Sequence, residues 1–300
     1  MSETMPSATG VAFVGTGTMG LPMLRNLHRG GVKMTAFDAR PETLTAIAAE
    51  GIGTAASLAE ACATASVVVT MLPDTPDVRA VVLGERGLVA LLRPGTLVID
   101  MSTIAAAAAT EIGAALAERG IGFLDAPVSG GVTGAVSGTL SIMVGGEADA
   151  FRRAEPLLGL MGKTVLHVGP CGMGQVFKAC NQLMVASHIQ AMCEAFALGR
   201  AHGADLDRLL AVLRQGAAGS WMLNNLAPKV LAKDASAGFR IDLQLKDLKL
   251  AGDAAFAKGV PLPGLALATA LYLEARAHGE GTNGNQALFR TFDRMTNQAG

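Results

Sequence analysis

Lys178, Asn181 and Gln182 stand in the stretch "GQVFKACNQL", Gly174 to Leu183. Spaced i, i+3, i+4, they share one face of a helix. The residues that follow, "MVASHIQAMCEAFAL", are too apolar for an exposed helix, so the polar face is expected to look into a cleft. An ammonium there can hydrogen-bond a carbonyl oxygen, steady the charge that develops on an alkoxide and deliver a proton. The neighbouring amides can fix its rotamer or touch hydroxyl groups. A lysine snorkelling at a domain boundary is the alternative the spacing leaves open.

A second group with chemical meaning is "GTGTMG", Gly15, Thr16, Gly17, Thr18, Met19 and Gly20, directly after an apolar strand and opening a helix. The first glycine permits a tight turn, the second lets a pyrophosphate approach the backbone, and the third lets helix pack on strand. The helix N-terminus complements phosphate charge. Asp38 closes the second strand, where a carboxylate can accept hydrogen bonds from ribose hydroxyls; its position does not exclude a turn or N-cap role before "RPE". Such a carboxylate repels a 2′-phosphate, so the expected cofactor is NAD(H), with NADP(H) tolerated. Arg40 is read as a solvated residue of the next helix, although it could swing to a 2′-phosphate.

"DAPVSGG", Asp125 to Gly131, follows the sixth strand. Ser129 offers a hydroxyl, and Gly130 and Gly131 offer unobstructed N–H groups. That turn can cradle a carboxylate, or serve as a plain glycine turn. Trp221, the one tryptophan, is either a wall of the substrate site or core. His188 and His202 read as packing or surface residues.

The elements that must position these groups change character along the chain. Short β-branched runs alternate with helical stretches up to about residue 168, which predicts a parallel sheet covered on both faces. Beyond it the chain reads as almost wholly helical, beginning with one long helix from Met173. The expected division is a disordered tail over 1–10, a Rossmann-type α/β domain over 11–168 and an all-helical substrate and oligomerisation domain over 169–300, joined by the long helix.

Half of the 300 residues are hydrophobic and 16% are charged. So few charges call for extensive burial, and a homodimer or homotetramer would supply more of it. A net charge of −1 gives no electrostatic case for nucleic acid or an anionic membrane. No apolar run reaches the roughly 18 residues of a membrane helix, and the first ten residues do not read as a signal peptide. The four cysteines show no metal-ligand spacing and read as free thiols of a cytoplasmic protein. Cys171, in a glycine-rich loop, is read as an incidental small residue. No metal site is expected.

"FVGTGTMGLPMLRNL", "MLPDTPDV", "DMSTI", "DAPVSGG…GTLSIMVGG", "GMGQVFKACNQ" and "FRIDLQLKDL" occur in the order found in the β-hydroxyacid dehydrogenase family, which the chain resembles from Val11 to about Leu288. Within that family it is most similar to the branch that reduces tartronate semialdehyde to glycerate. The resemblance implies a site in the cleft between two domains. It implies that Lys178 is catalytic and that Ser129, Gly130 and Gly131 hold the substrate carboxylate, with Asn181 and Gln182 beside the lysine. It also implies that Met71, Leu72 and Pro73 flank the adenosine, that Thr103 lies near the nicotinamide and that Lys246 reaches the cofactor. Gln182 replaces an asparagine common in the wider family, which argues against 3-hydroxyisobutyrate. A dehydrogenase for 3-hydroxyisobutyrate, L-threonate or another 3-hydroxy acid is the alternative, and a non-catalytic dinucleotide-binding module the alternative of another class. Gly284 and Gln286 stand where relatives often carry an acid and a serine, which leaves no expected cofactor contact from that loop.

Overall fold

The computed structural model describes residues 10–296, and the chain forms two compact units that divide between Lys178 and Ala179. The expected tail falls on 1–10; residues 1–9 lie outside the described residues, and Gly10 begins the first strand.

The first unit runs β1 (Gly10–Val14), α1 (Gly20–Arg29), β2 (Met34–Phe37), α2 (Pro41–Ala49), β3 (Gly53–Thr54), α3 (Leu58–Cys62), β4 (Ala65–Thr70), α4 (Thr75–Leu83), α5 (Leu88–Leu91), β5 (Leu97–Asp100), α6 (Ala106–Ala117), β6 (Gly122–Asp125), β7 (Val128–Ser129), α7 (Gly131–Ser137), β8 (Leu140–Gly146), α8 (Ala148–Leu158) and β9 (Gly162–Gly169). The strands form one sheet in the order β3-β2-β1-β4-β5-β6-β8-β7, with β9 on the other edge of β8. The reversal of strand order beside β1 is the Rossmann-type switch point, where ligands bind beyond the carboxyl ends of strands.

Residues along β1 alternate between two cores. Val11 and Phe13 pack with Met23, Leu24 and Leu27, whereas Ala12 and Val14 belong to the cluster of Val68, Val98 and Ile112. Burial on both faces explains why these strands read as unbroken apolar runs. Each fully buried Val, Leu, Ile or Phe contributes about 1.5–3 kcal/mol.

The sheet is not wholly parallel. β8 runs antiparallel to β6 through Leu124↔Gly146 and Asp125↔Gly145, and antiparallel to β7 through Val128↔Ile142 and Ser129↔Ser141. Residues 122–129 are thus one bent strand, interrupted at Ala126-Pro127, where proline has no N–H to give the ladder. The chain turns back through the short α7, so the usual long crossover to a parallel neighbour is missing here.

The second unit begins inside α9 (Met173–Ala201) and continues with α10 (Leu206–Gln215), α11 (Trp221–Asn225), α12 (Ala227–Leu231), α13 (Ile241–Ala257), α14 (Pro263–Ala277), a 3₁₀ turn over Asn285–Leu288 and α15 (Phe289–Met295). Its core gathers Phe196, Ile241, Leu245, Leu248, Tyr272 and Leu288. Among the described residues no helix is long and apolar enough to cross a membrane.

Candidate active site

In the loop between β1 and α1 the three glycines stand in different surroundings. Gly15 adopts φ +92°, and a β-carbon there would overlap the Met71 carbonyl. One on Gly20 would overlap the Gly15 carbonyl, which leaves helix no room beyond a hydrogen atom against strand. Gly17 differs: a β-carbon would meet only the Arg40 guanidinium, at 3.8 Å. The space beside it is otherwise open. Thr16, Gly17, Thr18 and Arg40 line a cavity of about 410 Å³ there. Thr18 is exposed and Met19 half-buried. Room and backbone donors together fit a dinucleotide phosphate.

Asp38 faces this loop. Its Oδ2 accepts hydrogen bonds from the Thr16 N–H at 2.7 Å and hydroxyl at 2.9 Å. Its Oδ1 accepts from the Arg40 N–H and Nε, both at 3.0 Å. Burial pushes such a carboxyl up, but the bonds from Arg40 and Thr16 outweigh it and hold Asp38 at about 2. Two expectations change here. Arg40 is no solvated bystander: it pairs with Asp38. Asp38 is not the helix cap either, since Arg40 takes the N-cap of α2.

At the ends of β4 and β5, Met71 and Leu72 are half-buried and Pro73 is exposed. The Leu72 N–H donates to the Ser102 hydroxyl at 2.9 Å. Ser102 and Thr70 in turn donate to Asp100 Oδ1, at 2.5 and 2.7 Å. Thr103, next to Ser102, is half-buried.

Ser129 ends β7, and Gly130 and Gly131 lead into α7 with φ +133° and +62°. Left-handed backbone at both positions suits glycine. A β-carbon on Gly131 would meet nothing within 4 Å, so its approach is open.

Lys178 is the last residue of the first unit and is buried, with 5% of its surface exposed. Gln175, one turn earlier, is equally buried. Its Oε1 accepts from the Ile104 N–H at 3.0 Å and its Nε2 donates to the Ser102 carbonyl at 2.9 Å. Asp125 is wholly buried at the end of β6; its Oδ1 accepts from the Gly172 N–H at 2.7 Å and its Oδ2 from the Gln175 N–H at 2.9 Å. Burial pushes the Asp125 carboxyl up to about 6 against the pull of those N–H groups, and neighbouring Asp100 adds to the rise.

In the second unit, Gln182 is buried and donates to Asp247 Oδ2 at 2.6 Å. Asn181, half-buried, donates to Gln182 Oε1 at 2.8 Å. Asn285 reaches Gln244 Oε1 at 3.3 Å, and Gln244 donates to the Gln182 carbonyl at 3.1 Å. Lys246 pairs with Asp247 Oδ1 at 3.2 Å, in contact but not aligned as a hydrogen bond. Trp221 is 53% exposed on α11, so a core role is excluded. Gln286 is buried and donates to the Asp234 and Ser236 carbonyls, both at 2.9 Å. His188 and His202 are exposed. All four cysteines are free, and burial and Asp125 push the Cys171 thiol up to about 12, away from reactivity. Among the described residues no three His, Cys, Asp or Glu side chains could hold a metal together.

Sequence reasoning missed Gln175 and Asp125, and it reads Asp247 only as a structural neighbour of Lys246, which it is, without its bond to Gln182. Continuing the helical spacing back one turn from Lys178 reaches Gln175, and the buried face is in fact 175, 178 and 182. Asp125 carries a fainter signal: a carboxylate closing an apolar strand, whose partners are N–H groups some fifty residues further on.

Residues 10–169 match the family described as the NAD binding domain of 6-phosphogluconate dehydrogenase. Residues 172–292 match the NAD-binding family of NADP-dependent 3-hydroxyisobutyrate dehydrogenase. The NAD-dependent L-serine dehydrogenase of Pseudomonas aeruginosa is 40% identical over 290 residues, 94% of this chain and 97% of that one. The 2-hydroxy-3-oxopropionate reductase of Escherichia coli is 36% identical over 289 residues, 96% and 98% of the two chains. The structure of Mycobacterium tuberculosis 3-hydroxyisobutyrate dehydrogenase with L-serine superposes with a TM-score of 0.87 at 36% identity, covering 94% of this chain and 98% of that one. The glycine loop, the sheet order and the two family matches meet in one conclusion: the chain belongs to the β-hydroxyacid dehydrogenase family.

Proposed function

We propose that the protein transfers hydride between NAD(H) and a small β-hydroxy acid or its semialdehyde, with tartronate semialdehyde reduced to glycerate as the leading reaction. The observation that carries the reading is Lys178, a buried lysine on a helix whose first turn is tied to the ends of β5 and β6. In this reading the Gly15–Gly20 loop cradles the pyrophosphate, and Thr16, Thr18 and Met19 border it. Asp38 meets the ribose, which favours NAD(H), while Met71, Leu72 and Pro73 flank the adenosine. Thr103 and Lys246 are assigned to the nicotinamide end. When bound, the nicotinamide supplies or accepts the hydride.

The protein's part is binding and proton transfer. Ser129, Gly130 and Gly131 hold the substrate carboxylate by hydroxyl and N–H groups. The Lys178 ammonium donates to the aldehyde oxygen, neutralises alkoxide charge as it forms and gives up a proton. Asn181, Gln182 and Trp221 are assigned to the substrate hydroxyls and the wall of the site. Gln182, in place of the asparagine common in the wider family, favours tartronate semialdehyde. L-serine and 3-hydroxyisobutyrate form the second reading, supported by what the relatives are named for.

The domain division proposed is 11–168 and 169–300. The low charge content supports a homodimer or homotetramer and the free cysteines a cytoplasmic protein; light scattering that found only the 30.6 kDa chain at micromolar concentration would refute assembly. A panel of small hydroxy acids and semialdehydes, followed by NADH absorbance, tests the reaction. Highest kcat/KM is expected for tartronate semialdehyde, and equal reduction of aldehydes that lack a carboxylate would overturn the reading.

A further inference from the structure

We infer that Asp125 is a positioning residue for Lys178: its carboxylate anchors the first turn of α9 and thereby sets where the ammonium stands. The inference rests on the reading of Lys178 as proton donor.

The first turn of a helix leaves backbone N–H groups without partners inside the helix. At this end of α9 two N–H groups, that of Gly172 just before the helix and that of Gln175 in its first turn, go to the two oxygens of Asp125, at 2.7 and 2.9 Å. The cap comes from a strand some fifty residues earlier in the chain. It therefore ties the helix to the sheet, which a cap from an adjacent residue would not do.

The packing leaves this anchor no slack. A β-carbon on Gly174 would come within 2.5 Å of both the Asp125 and Met143 carbonyl oxygens, and one on Gly145 would overlap Asp125 Oδ1. Backbone thus lies directly on backbone around the carboxylate. Gln175 adds a second tie through Ile104 and Ser102. Lys178 follows Gln175 by three residues, roughly 5 Å along the axis, so displacement of the first turn carries the lysine with it.

The choice of residue is itself informative. Asp125 is wholly buried and sits beside a second buried carboxylate, its register partner Asp100, while Cys171 faces it from the turn before α9. Such burial is costly for stability. A carboxylate is nevertheless the group that can accept from both N–H groups at once, and its charge suits a helix N-terminus. Asparagine keeps the shape, yet it offers one acceptor and turns an amide N–H toward the other donor.

The test is a cycle of Asp125→Asn, Lys178→Met and the double variant, with kcat, KM for the semialdehyde acid and NADH affinity by fluorescence measured for each. Asp125→Asn is expected to lower kcat at least tenfold while NADH affinity stays within about twofold. In the Lys178→Met background it is expected to cause no further loss, because residues that act as a unit are not additive. A merely structural role would instead multiply the two losses, and that outcome overturns the inference, as does a kcat within threefold of wild type. Where Asp125→Asn does not fold, hydrogen exchange on the wild-type protein decides. Gly172 and Gln175 amides among the most protected of the first unit support the anchor, and fast exchange at either refutes it. The two readings fail separately. Activity retained by Lys178→Met removes the reading of Lys178, whereas an inactive Lys178→Met beside a fully active Asp125→Asn removes only this one.

Discussion

Arg40 holds Asp38 through both its backbone N–H and its guanidinium, at 3.0 Å each. The carboxylate is therefore held in one orientation by the protein itself, and its cationic partner lines the cavity beside Thr16 and Gly17. Higher kcat/KM is expected for NADH than for NADPH, with the gap narrowed in Asp38→Ala and widened in Arg40→Ala. The ratio of the two specificity constants checks this, and a tenfold preference of the wild type for NADPH contradicts it.

Asp38 and Asp125 give stability opposite dependences on pH. Asp38 is lowered from 3.8 to about 2, so its contribution is present above about pH 4 and is lost as pH falls through 2. Asp125 is raised from 3.8 to about 6, so its contribution is complete below about pH 4 and is lost as pH rises through 6. Urea unfolding from pH 4 to 7 is expected to move in favour of Asp125→Asn relative to wild type, by up to roughly 3 kcal/mol for a shift of this size. A difference that stays flat over that range counts against a buried, ionising Asp125.

Binding and folding are expected to separate at neighbouring glycines. Gly17→Ala has room within the protein, so melting is expected to change by a few degrees at most, while NADH affinity falls at least tenfold. Gly20→Ala overlaps the Gly15 carbonyl and is expected to unfold or lose several kcal/mol, as overpacking does. Equal loss of stability in both variants would refute the division of labour. Calorimetry beside fluorescence titration reads both.

Asp247→Ala removes the shorter of two acceptors of the Gln182 amide, leaving Gln244 Oε1 at 3.4 Å, and a charged neighbour of Lys246. A buried hydrogen bond is worth about 0.5–1.5 kcal/mol, so the unfolding midpoint is expected to drop by a corresponding amount. Asp247→Asn retains an acceptor and is expected to recover part of it. An Asp247→Ala protein as stable as wild type would show that the cluster of Gln182, Gln244 and Asp247 can rearrange without cost.

Lys178→Met keeps most of the apolar stem and removes the ammonium, and methionine is a good helix former. NADH binding is expected to persist. Turnover is expected to fall by about 10² to 10⁴, the usual share of positioned acid–base catalysis. The fall belongs in kcat as well as kcat/KM, because the interaction strengthens in the transition state. Lys178→Arg is expected to rescue poorly, since a guanidinium does not release its proton near neutral pH. Near wild-type kcat in Lys178→Met would remove the lysine from the mechanism.

Much of the architecture was legible because local rules carry it. Gly15, Gly17 and Gly20 announce strand, turn and helix by spacing, and the apolar runs of β1, β4 and β5 follow from burial on both faces. The antiparallel β8 was not legible: its reversal depends on Pro127 and on the pairing of Leu124 with Gly146, a relation no window of sequence contains. Gly130-Gly131 reads as a turn and proves to lead into α7, since seven residues give too weak a periodicity to detect. In the candidate site, Lys178 declares itself by being polar in an apolar helix. Asp125 and Asp247 do not, because their partners are backbone N–H groups and an amide far away in the chain.

The four thiols differ in a way that is useful at the bench. Cys62 and Cys193 are buried, with thiols pushed up by burial, to about 11 for Cys62 and further for Cys193, and Cys171 stands at about 12. Cys180 alone is exposed, two residues beyond Lys178 on α9. A maleimide dye at neutral pH should therefore attach at one place in the unmodified protein. The native chain thus comes with its own single-point reporter on the helix that carries the lysine, and no cysteine has to be introduced or removed to use it.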